Sequence, residues 1–367
     1  MFYFIIFSTT LILSFFLTGY FTKLGQRKKI ITKPRKRDIH KKPIPRIGGL
    51  AISLSFLIIS MIVFLVLKPD LRLSDTLWLG IDKQILAIWG ALVVIVVSMI
   101  VDDIRGLKAW QKGFFQVLAA LIIIASGIGI DTLANPFGER FNLNAIYIPI
   151  FTVNGITYHF SLISDIFTLI WLVGMMNVIN FVDGVDGLAS GISTIAAGTI
   201  FLLSLHLSVN QPEVAVIALI LAAASIGFLI WNFPPAKTFM GDNGSMFLGL
   251  ILGILPLLSG GKLATAFLVL GYPIVDGLVV AGGRILKGKN PFNTPDKTHL
   301  HHRFIDAGFA PREAILIMYA ISIAFAWVAL RSSTLEKLIA FGVLLLVIFL
   351  LIMYLRHRRN KIAHKNT

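Results

Sequence analysis

The chain has 367 residues, of which 56% are hydrophobic and only 14% are charged, whereas charged residues make up about 25% of an ordinary soluble domain. It also carries 33 Lys and Arg against 18 Asp and Glu, a net charge of +15. This composition excludes a disordered chain, a coiled coil and an ordinary soluble globule, and it is typical of a polytopic membrane protein with basic loops. The absence of Cys excludes disulfide bonds and thiolate metal sites.

Apolar stretches long enough to cross a bilayer, about 20 residues each, recur along the whole chain. The sequence therefore predicts an all-α polytopic membrane protein that forms a single domain over residues 1–367, with about eleven transmembrane helices. No charge precedes Lys23, so the first stretch lacks the basic region of a cleaved signal peptide and we expect it to be retained. The predicted spans lie near residues 2–22, 47–67, 85–101, 114–130, 163–181, 188–206, 213–231, 244–260, 263–283, 313–330 and 335–355.

The basic residues are unevenly divided between the two sides that these spans define. Most Lys and Arg lie in alternate connections and in the C-terminal tail, and the positive-inside rule assigns such segments to the cytoplasm. We therefore expect the N-terminus outside and the C-terminus in the cytoplasm. The predicted cytoplasmic segments are the loops 23–46, 102–113, 177–188, 232–245 and 284–312 and the basic tail 356–367.

One predicted outer segment differs in composition from the other connections. Residues 141–151 and 153–160 are rich in β-branched and aromatic residues and are separated by Asn154-Gly155. An Asn-Gly pair between two such runs is typical of a hairpin turn. The sequence predicts a small extracytoplasmic β-hairpin near residues 139–160.

Polar residues collect at the predicted cytoplasmic ends of the spans, where costly polar groups usually serve a function. Asp102 and Asp103 are the first group, with Lys112 following on the chain. Adjacent carboxylates repel each other unless a cation or a metal ion lies near. A solvated helix end with local salt bridges is an equal alternative for this pair taken alone.

The second group consists of Asn177, Asn180, Asp183 and Asp186, which recur at every third position. This spacing places them on nearly one face of a helix. Two amides and two carboxylates in a line could hold a hard cation and bind a polar ligand. The alternative is a pair of Asx turns that cap the next helix, and we favour a functional role.

The third group, residues 237–245, contains Phe239 and Asp242 among glycines and immediately precedes a predicted span. Glycines let the backbone approach a ligand closely, a helix start can bind a phosphate, and a carboxylate beside it could hold Mg²⁺. Taken alone, however, this segment is better explained as an ordinary helix N-cap.

The fourth group lies in the predicted loop 284–312. His299, His301, His302 and Arg303 follow Lys297 closely, and without Cys this set favours an anion-binding or sugar-binding patch over zinc. A solvated loop is the alternative. The basic stretch 27–46 could orient the first span or attract anionic lipid.

The four groups share one predicted membrane face and together favour Mg²⁺-assisted chemistry on phosphates, in which positioning and charge neutralisation carry most of the catalysis. The surrounding spans could hold a lipid. The residues therefore indicate transfer of a phosphate-bearing group from a soluble donor to a lipid acceptor. A lipid flippase or ion-coupled transporter is the alternative from a different class, but it would need several polar residues near the midplane, and only Asp276 is predicted there.

In order along the chain, Pro45–Gly49, Val101–Asp103 with Lys112, 177–188, 237–245 and 299–303 resemble the motifs of the polyprenyl-phosphate N-acetylhexosamine-1-phosphate transferase family. This family includes the MraY, WecA and TagO types, and the resemblance extends over nearly the whole chain. It implies transfer of a sugar 1-phosphate from a UDP-sugar to undecaprenyl phosphate, with release of UMP, in the bacterial cytoplasmic (inner) membrane with the active site facing the cytoplasm.

The resemblance also implies roles for single residues. Asp186 would hydrogen-bond uracil and Phe239 would stack on it, while Asp102 or Asp103 could deprotonate the lipid phosphate. A covalent intermediate on Asp242 is an open alternative to direct attack. The implied catalytic residues are Asp102, Asp103, Asp242 and Lys112. The implied ligands of Mg²⁺, or of Mn²⁺, are Asp242 and Asn180. The implied substrate-binding residues are Asn177, Asp183, Asp186, Phe239, His299, His301, His302 and Arg303.

Within the family, residues 295–303 resemble the WecA/TagO type, which takes UDP-N-acetylglucosamine. The alternative is the MraY type, which takes a UDP-MurNAc-pentapeptide. The product would begin a cell-envelope glycan such as teichoic acid or the O-antigen of lipopolysaccharide. The implied partners are the UDP-sugar, undecaprenyl phosphate and membrane lipid but no nucleic acid, and a homodimer is compatible with the resemblance. The chain departs from many relatives at Lys33, where they carry Asp before the proline.

Overall fold

The computed structural model describes residues 1–32, 43–133, 135, 138–153, 156–207, 209–259, 263–286, 288 and 299–365. Within these residues the chain is mainly helical, and its helices form one bundle joined by short connections. The helices are α1 (Phe2–Arg27), α2 (Leu50–Ile62, continued by a π-helical turn over Val63–Leu67), α3 (Lys83–Arg105), α4 (Ala109–Ala125), α5 (Leu162–Val182), α6 (Leu188–Leu205), α7 (Pro212–Asn232), α8 (Gly241–Leu258), α9 (Leu263–Val269), α10 (Gly271–Ile285), α11 (Leu300–Asp306), α12 (Pro311–Arg331) and α13 (Thr334–Lys365).

Nine helices in the described part of the chain are long and apolar enough to cross a membrane: α1, α2 with its π-helical turn, α3, α5, α6, α7, α8, α12 and α13. The prediction of an all-helical polytopic membrane protein is therefore confirmed.

The predicted span at 263–283 is not a straight helix. It consists of α9 and α10, which are bent by 77° at their junction. Pro273 explains the break, because a proline lacks the N–H donor and its ring clashes with the carbonyl four residues earlier, here that of Val269.

The predicted loop 102–113 is also mostly helical. α3 continues to Arg105 and ends at Gly106, whose positive φ of 75° stops the helix. α4 begins at Ala109 and ends at Ala125, so its 17 residues start earlier than the predicted span at 114–130. The Gln111 side chain caps this start by accepting a hydrogen bond from the backbone N–H of Lys108.

The core lies around α7 and α8. In their most apolar windows 78% of the residues of α7 and 89% of those of α8 are buried, against 22% for α1 and 17% for α13. α8 packs closely on α5, because a Cβ at Gly249 would lie within 2.5 Å of the Met176 backbone. This packing positions the central helix, whose first turn carries Asp242.

Short antiparallel ribbons connect the helices. They are β1 (Ile31–Thr32) with β2 (Ile44–Pro45), β3 (Leu77–Trp78) with β4 (Ile81–Asp82), β5 (Thr132–Leu133) with β6 (Phe141–Asn142), and β7 (Tyr147–Val153) with β8 (Ile156–Ser161). The hairpin predicted near 139–160 is confirmed by β7 and β8, in which Val153 pairs with Ile156 and Tyr147 with Ser161. Its predicted turn residues Asn154 and Gly155 lie outside the described residues.

Candidate functional site

Three carboxylates and two cations meet where α3, α4 and α8 approach the segment after β2. Asp102 and Asp103 lie in the last turn of α3, Lys112 in the first turn of α4, and Asp242 in the first turn of α8. Arg46 directly follows β2. We call these five side chains the carboxylate cluster.

Opposite charges alternate through the carboxylate cluster. Arg46 Nε lies 3.1 Å from Asp103 Oδ1, and its Nη2 lies 3.0 Å from Asp242 Oδ1. Lys112 Nζ lies 2.5 Å from Asp242 Oδ2 and 2.7 Å from Asp102 Oδ2. Each cation therefore bridges two acids, and Asp242 is held between both cations. Such pairing offsets the cost of withdrawing the acids from water.

The three carboxylates differ in their access to solvent. The side chains of Asp103 and Asp102 are 1% and 3% exposed, whereas that of Asp242 is 17% exposed. Lys112 and Arg46 are 25% and 39% exposed. Asp242 and the two cations are thus the members of the cluster that a ligand can reach most easily.

The two buried acids also bind backbone. Asp103 accepts hydrogen bonds from the N–H groups of Asp242 and Asn243, at 3.1 and 3.3 Å, and so caps the start of α8. Asp102 accepts the N–H of Leu107 at 2.7 Å, which holds the connection between α3 and α4. The two adjacent acids predicted from sequence therefore fix the start of α8 and the connection between α3 and α4, and they also bind the two cations of the site.

Backbone pairing places Arg46 beside Asp242. The N–H groups of Gly48 and Gly49 donate to the carbonyls of Phe239 and Met240, at 3.1 and 3.0 Å. A Cβ on Gly49 would collide with the carbonyl oxygen of Met240, so this approach requires glycine.

A cavity of about 620 Å³ opens beside the carboxylate cluster. Four residues predicted from sequence in addition to Asp242 line it, namely Asp183, Asp186, Phe239 and His302. Its remaining described walls are Thr32, Ile44, Arg46, Gly184, Val185, Asn232, Pro234, Pro235, Ala236, Gly241, Ala310, Pro311 and Arg312. The cavity therefore combines acids, arginines and one aromatic wall.

The loop after α5 is fixed against the loop after α7. Asp186 Oδ2 accepts the N–H of Ala236 at 3.0 Å, and Asn232 Oδ1 accepts the N–H of Gly187 at 2.8 Å. The hydroxyl of Tyr319 on α12 donates to the Gly187 carbonyl. These bonds make one wall of the cavity rigid.

Asp183 follows the last residue of α5 and lies on the cavity wall. Its withdrawal from water, and next the negative charges of Asp242 and Asp186, raise the pKa of this carboxyl well above its ordinary value. Asp183 therefore holds a proton more readily than a solvated carboxyl group does.

The four polar residues that recur at every third position serve two different parts of the structure. Asp183 and Asp186 line the cavity, whereas Asn177 and Asn180 are not among its described lining residues. Asn177 donates to Gln116 Oε1 on α4 at 3.0 Å, and Asn180 donates to Ser245 Oγ on α8 at 2.9 Å. The two amides thus connect α5 to α4 and to α8.

Asp276 fixes the start of α11. Its carboxylate lies 2.8 Å from His299 Nδ1 and accepts the N–H of Leu300 at 2.8 Å. Asp276 was the one acid that the sequence analysis placed near the membrane midplane, as a transporter would require. In the structure it binds the start of this short helix.

His301 is 1% exposed and lies against the loop that carries Asp183, since a Cβ on Gly184 would be 2.8 Å from His301 Nε2. Its ring stacks on that of His299 with 5.5 Å between centroids. Burial, and then the neighbouring histidines His302 and His299, lower the pKa of His301 well below its ordinary value. The lowered pKa favours the neutral form of His301, while His302 faces the cavity.

Arg303 lies on another side of α11 and lines a second, smaller cavity. Residues 289–298, which include the sequence candidates Asn290, Asp296 and Lys297, lie outside the described residues, as does Lys33.

The donor set suits a hard divalent cation. Asp102, Asp103 and Asp242 each offer a carboxylate oxygen, and these atoms lie within 4.8 Å of one another. All-oxygen ligands are those that Mg²⁺ prefers. Of the two ligands predicted from sequence, Asp242 belongs to this group, and Asn180 is connected to it through Ser245.

Three contributors were missed as site residues by the sequence reasoning: Arg46, Arg312 and Gln116. Arg46 stands before two glycines, a signal of close backbone approach that could have identified it, but its position in a basic stretch suggested a topogenic role. Arg312 lines the cavity and its Nε donates to the Pro234 carbonyl at 2.7 Å. No local signal marked Arg312 or Gln116.

Comparison with known proteins identifies related chains. The sequence profile described as glycosyl transferase family 4 matches residues 85–260. A Bacillus subtilis protein named probable undecaprenyl-phosphate N-acetylglucosaminyl 1-phosphate transferase is 32% identical over 331 residues, which are 87% of this chain and 82% of that protein.

Two further relatives cover most of the chain. A Mycolicibacterium smegmatis decaprenyl-phosphate N-acetylglucosaminephosphotransferase is 32% identical over 334 residues, 85% of this chain and 77% of the relative. A Levilactobacillus brevis phospho-N-acetylmuramoyl-pentapeptide-transferase is 31% identical over 304 residues, 79% of this chain and 85% of the relative.

Proposed function

Since the chain belongs to glycosyl transferase family 4, we propose that it transfers N-acetylglucosamine 1-phosphate from UDP-N-acetylglucosamine to undecaprenyl phosphate. The products are undecaprenyl diphosphate N-acetylglucosamine and UMP. Relatives named for N-acetylglucosamine 1-phosphate transfer match more strongly than those named for the muramoyl-pentapeptide reaction. This order favours N-acetylglucosamine as the transferred sugar.

The carboxylate cluster beside the 620 Å³ cavity is the observation that carries the proposal. Phosphate transfer needs cations that neutralise the phosphates and a rigid frame that aligns them. Arg46 and Lys112 supply two cations held by ion pairs of 2.5 to 3.1 Å. The cluster is built on helix ends that are themselves capped, so it supplies the frame.

The cavity suits the nucleotide-sugar. Phe239 offers an aromatic wall on which uracil can stack, and Asp186 supplies a carboxylate acceptor for a base N–H. Arg46, which also lines the cavity, can bind the diphosphate. Arg312 and His302 supply further donors for phosphate or sugar oxygens.

Arg46 bonds to Oδ1 of Asp242, and Lys112 bonds to Oδ2 of the same carboxylate. Lys112 is not among the described residues that line the cavity. This position supports a role for Lys112 in binding the phosphate of the lipid acceptor. An oxygen of that phosphate forms a bond to the β-phosphorus of the donor, and the bond from this phosphorus to the bridging oxygen of UMP breaks. Asp242, the most exposed acid of the cluster, is also placed to act as nucleophile in a two-step alternative.

Asp242, together with Asp102 or Asp103, would hold a divalent cation. Mg²⁺ is the preferred candidate, and Mn²⁺ would fit the same oxygens. When bound, it would neutralise the charge that develops on the phosphates. The excess of Lys and Arg in the connections that share the membrane face of the cluster supports a cytoplasmic location for this face, in a bacterial inner membrane.

The test uses purified protein in detergent with undecaprenyl phosphate and Mg²⁺, and measures UMP. We expect UMP from UDP-N-acetylglucosamine only when the lipid phosphate is present. UMP release only from the muramoyl-pentapeptide donor would overturn the proposed sugar, while no UMP from either donor would overturn the proposed reaction. Movement of substrate across liposomes without any product would instead support a transporter.

A further inference from the structure

The second cavity, of about 220 Å³, lies between α11 and the end of α13. Its described lining consists of Arg303 from α11 and Ile352, Leu355, Arg356 and Arg359 from α13. Three of these five side chains are guanidinium groups, two are aliphatic, and none is acidic. We call this site the arginine cavity.

The arginine cavity lies where α13 leaves the membrane. The apolar run of α13 ends at Leu355, and the next residues, 356–361, are mostly basic. Arg356 and Arg359 are three residues apart and so share one helix face. Leu355 beside them is 1% exposed, so an aliphatic floor lies under the charged groups.

Aromatic contacts hold the two helices that form the cavity. The Arg358 guanidinium lies 4.0 Å from the centre of the Phe309 ring, and Phe309 packs on Phe304 of α11 with 5.3 Å between centroids. The end of α13 is thereby held against α11, and the three arginines line one shared space, in which Arg303 is half-buried and Arg356 and Arg359 are exposed.

The bilayer has direct access to this site. α13 is the least buried of the candidate spans, and its residues Phe349, Leu350 and Met353, one or two turns before the arginines, are exposed. A ligand that carries both a phosphate and hydrocarbon can therefore enter from the membrane. Guanidinium groups bind phosphate through paired hydrogen bonds, and basic pockets between helices at a membrane surface suit anionic lipid head groups.

We propose that the arginine cavity binds the phosphate of an anionic membrane phospholipid, whose adjoining carbons lie against Ile352 and Leu355. This site is separate from the 620 Å³ cavity, which α11 borders through His302, the residue before Arg303. A phospholipid bound here would hold α11 from a different side than the proposed substrate site does.

The test compares the wild-type full-length protein with Arg359→Gln, Arg356→Gln and the control Lys361→Gln. Lys361 is exposed on the same helix end and does not line the cavity, so each variant removes one charge from the same surface. Each protein, purified in detergent, is titrated with phosphatidylglycerol or with phosphatidylcholine. The lipid retained is counted by native mass spectrometry, and the melting temperature is measured in parallel.

We expect wild type and Lys361→Gln to retain phosphatidylglycerol, but not phosphatidylcholine, with equal affinity. Arg359→Gln and Arg356→Gln should bind it about tenfold to a hundredfold more weakly, since each loses a hydrogen bond between charged groups. If one arginine variant fails to fold, the other carries the test.

Three outcomes would overturn the proposal. Wild type could fail to retain phosphatidylglycerol. Lys361→Gln could weaken binding as much as the arginine variants, which would indicate a diffuse basic surface. Inorganic phosphate could raise the melting temperature as much as the lipid does, which would indicate a site for a soluble anion.

Discussion

Replacing Arg46 with Gln removes the side chain that joins Asp103 to Asp242. Its two ion pairs measure 3.1 and 3.0 Å, and hydrogen bonds between charged groups contribute about 1.5–3 kcal/mol each. Arg46 is 39% exposed, so solvent screens both contacts and this range must be discounted. In the variant, the side chain of Asp103, which is 1% exposed, loses its cation and keeps only its hydrogen bonds from the backbone N–H groups of Asp242 and Asn243. We expect a loss of about 1–3 kcal/mol in stability.

The loss in activity should be larger than this change in stability suggests. Arg46 both positions Asp242 and, in the proposed function, binds the donor phosphates, and removal of one such donor typically lowers kcat by about 10²–10³. The assay measures UMP release at saturating donor and lipid, together with the melting temperature in detergent. Arg46→Lys keeps the charge but not the two-pronged contact, so its activity should lie between wild type and Arg46→Gln.

Arg105→Gln is the matched control, because Arg105 is an exposed arginine two residues after Asp103 and lies outside the carboxylate cluster. It should keep both activity and melting temperature. If Arg46→Gln behaves like Arg105→Gln, Arg46 neither holds the acids nor binds a phosphate, and the reasoning is refuted.

Three further substitutions and the removal of divalent ions test other parts of the site. Asp242→Asn should abolish UMP release while the melting temperature stays within a few degrees of wild type, and an active variant would refute its metal role. Gly49→Ala should lower the melting temperature strongly, because its Cβ collides with the Met240 carbonyl, and an unchanged value would refute this packing. Since the pKa of Asp183 is raised in the folded state, its protonation stabilises the fold at low pH, and this contribution is lost as the pH rises above the unfolded value of 3.8. Asp183→Asn should therefore lose less stability than wild type as the pH rises above about 4, and a steeper loss would contradict the shift. Removal of divalent ions by EDTA should stop the reaction, Mg²⁺ should restore it, and persistent activity would exclude a metal role.

Much of the fold could be predicted from local patterns in the sequence. A membrane span is specified by a local run of apolar residues, so the spans could be found without knowledge of their packing. The hairpin was equally local, since its two runs flank Asn154-Gly155. The exceptions had local causes that were overlooked: Pro273 breaks the predicted ninth span, and Gln111 caps α4 earlier than hydropathy indicated.

The candidate site was only partly predictable because its geometry is non-local. The sequence placed Asp102, Asp103, Lys112 and Asp242 at one membrane face, and the structure brings these four together. It could not show that Arg46, 196 positions from Asp242, is bonded to it. Such a contact depends on how β2 docks on the start of α8.

The amides show the same limit. A helical spacing of three indicated that Asn177 and Asn180 share a face with the acids that follow. It did not reveal that α5 ends after the two amides and before the two acids. Asp183 and Asp186 therefore line the cavity, while the amides bond to Gln116 and Ser245.

The fate of the β-phosphorus of UDP-N-acetylglucosamine tests the central claim most directly. With that atom radiolabelled, the purified protein, undecaprenyl phosphate and Mg²⁺ are incubated and the lipid is extracted into organic solvent. We expect the label to enter the lipid fraction in equal amount to the UMP released. Label that leaves as UDP while the sugar enters the lipid would show sugar transfer without its phosphate, and would contradict the account.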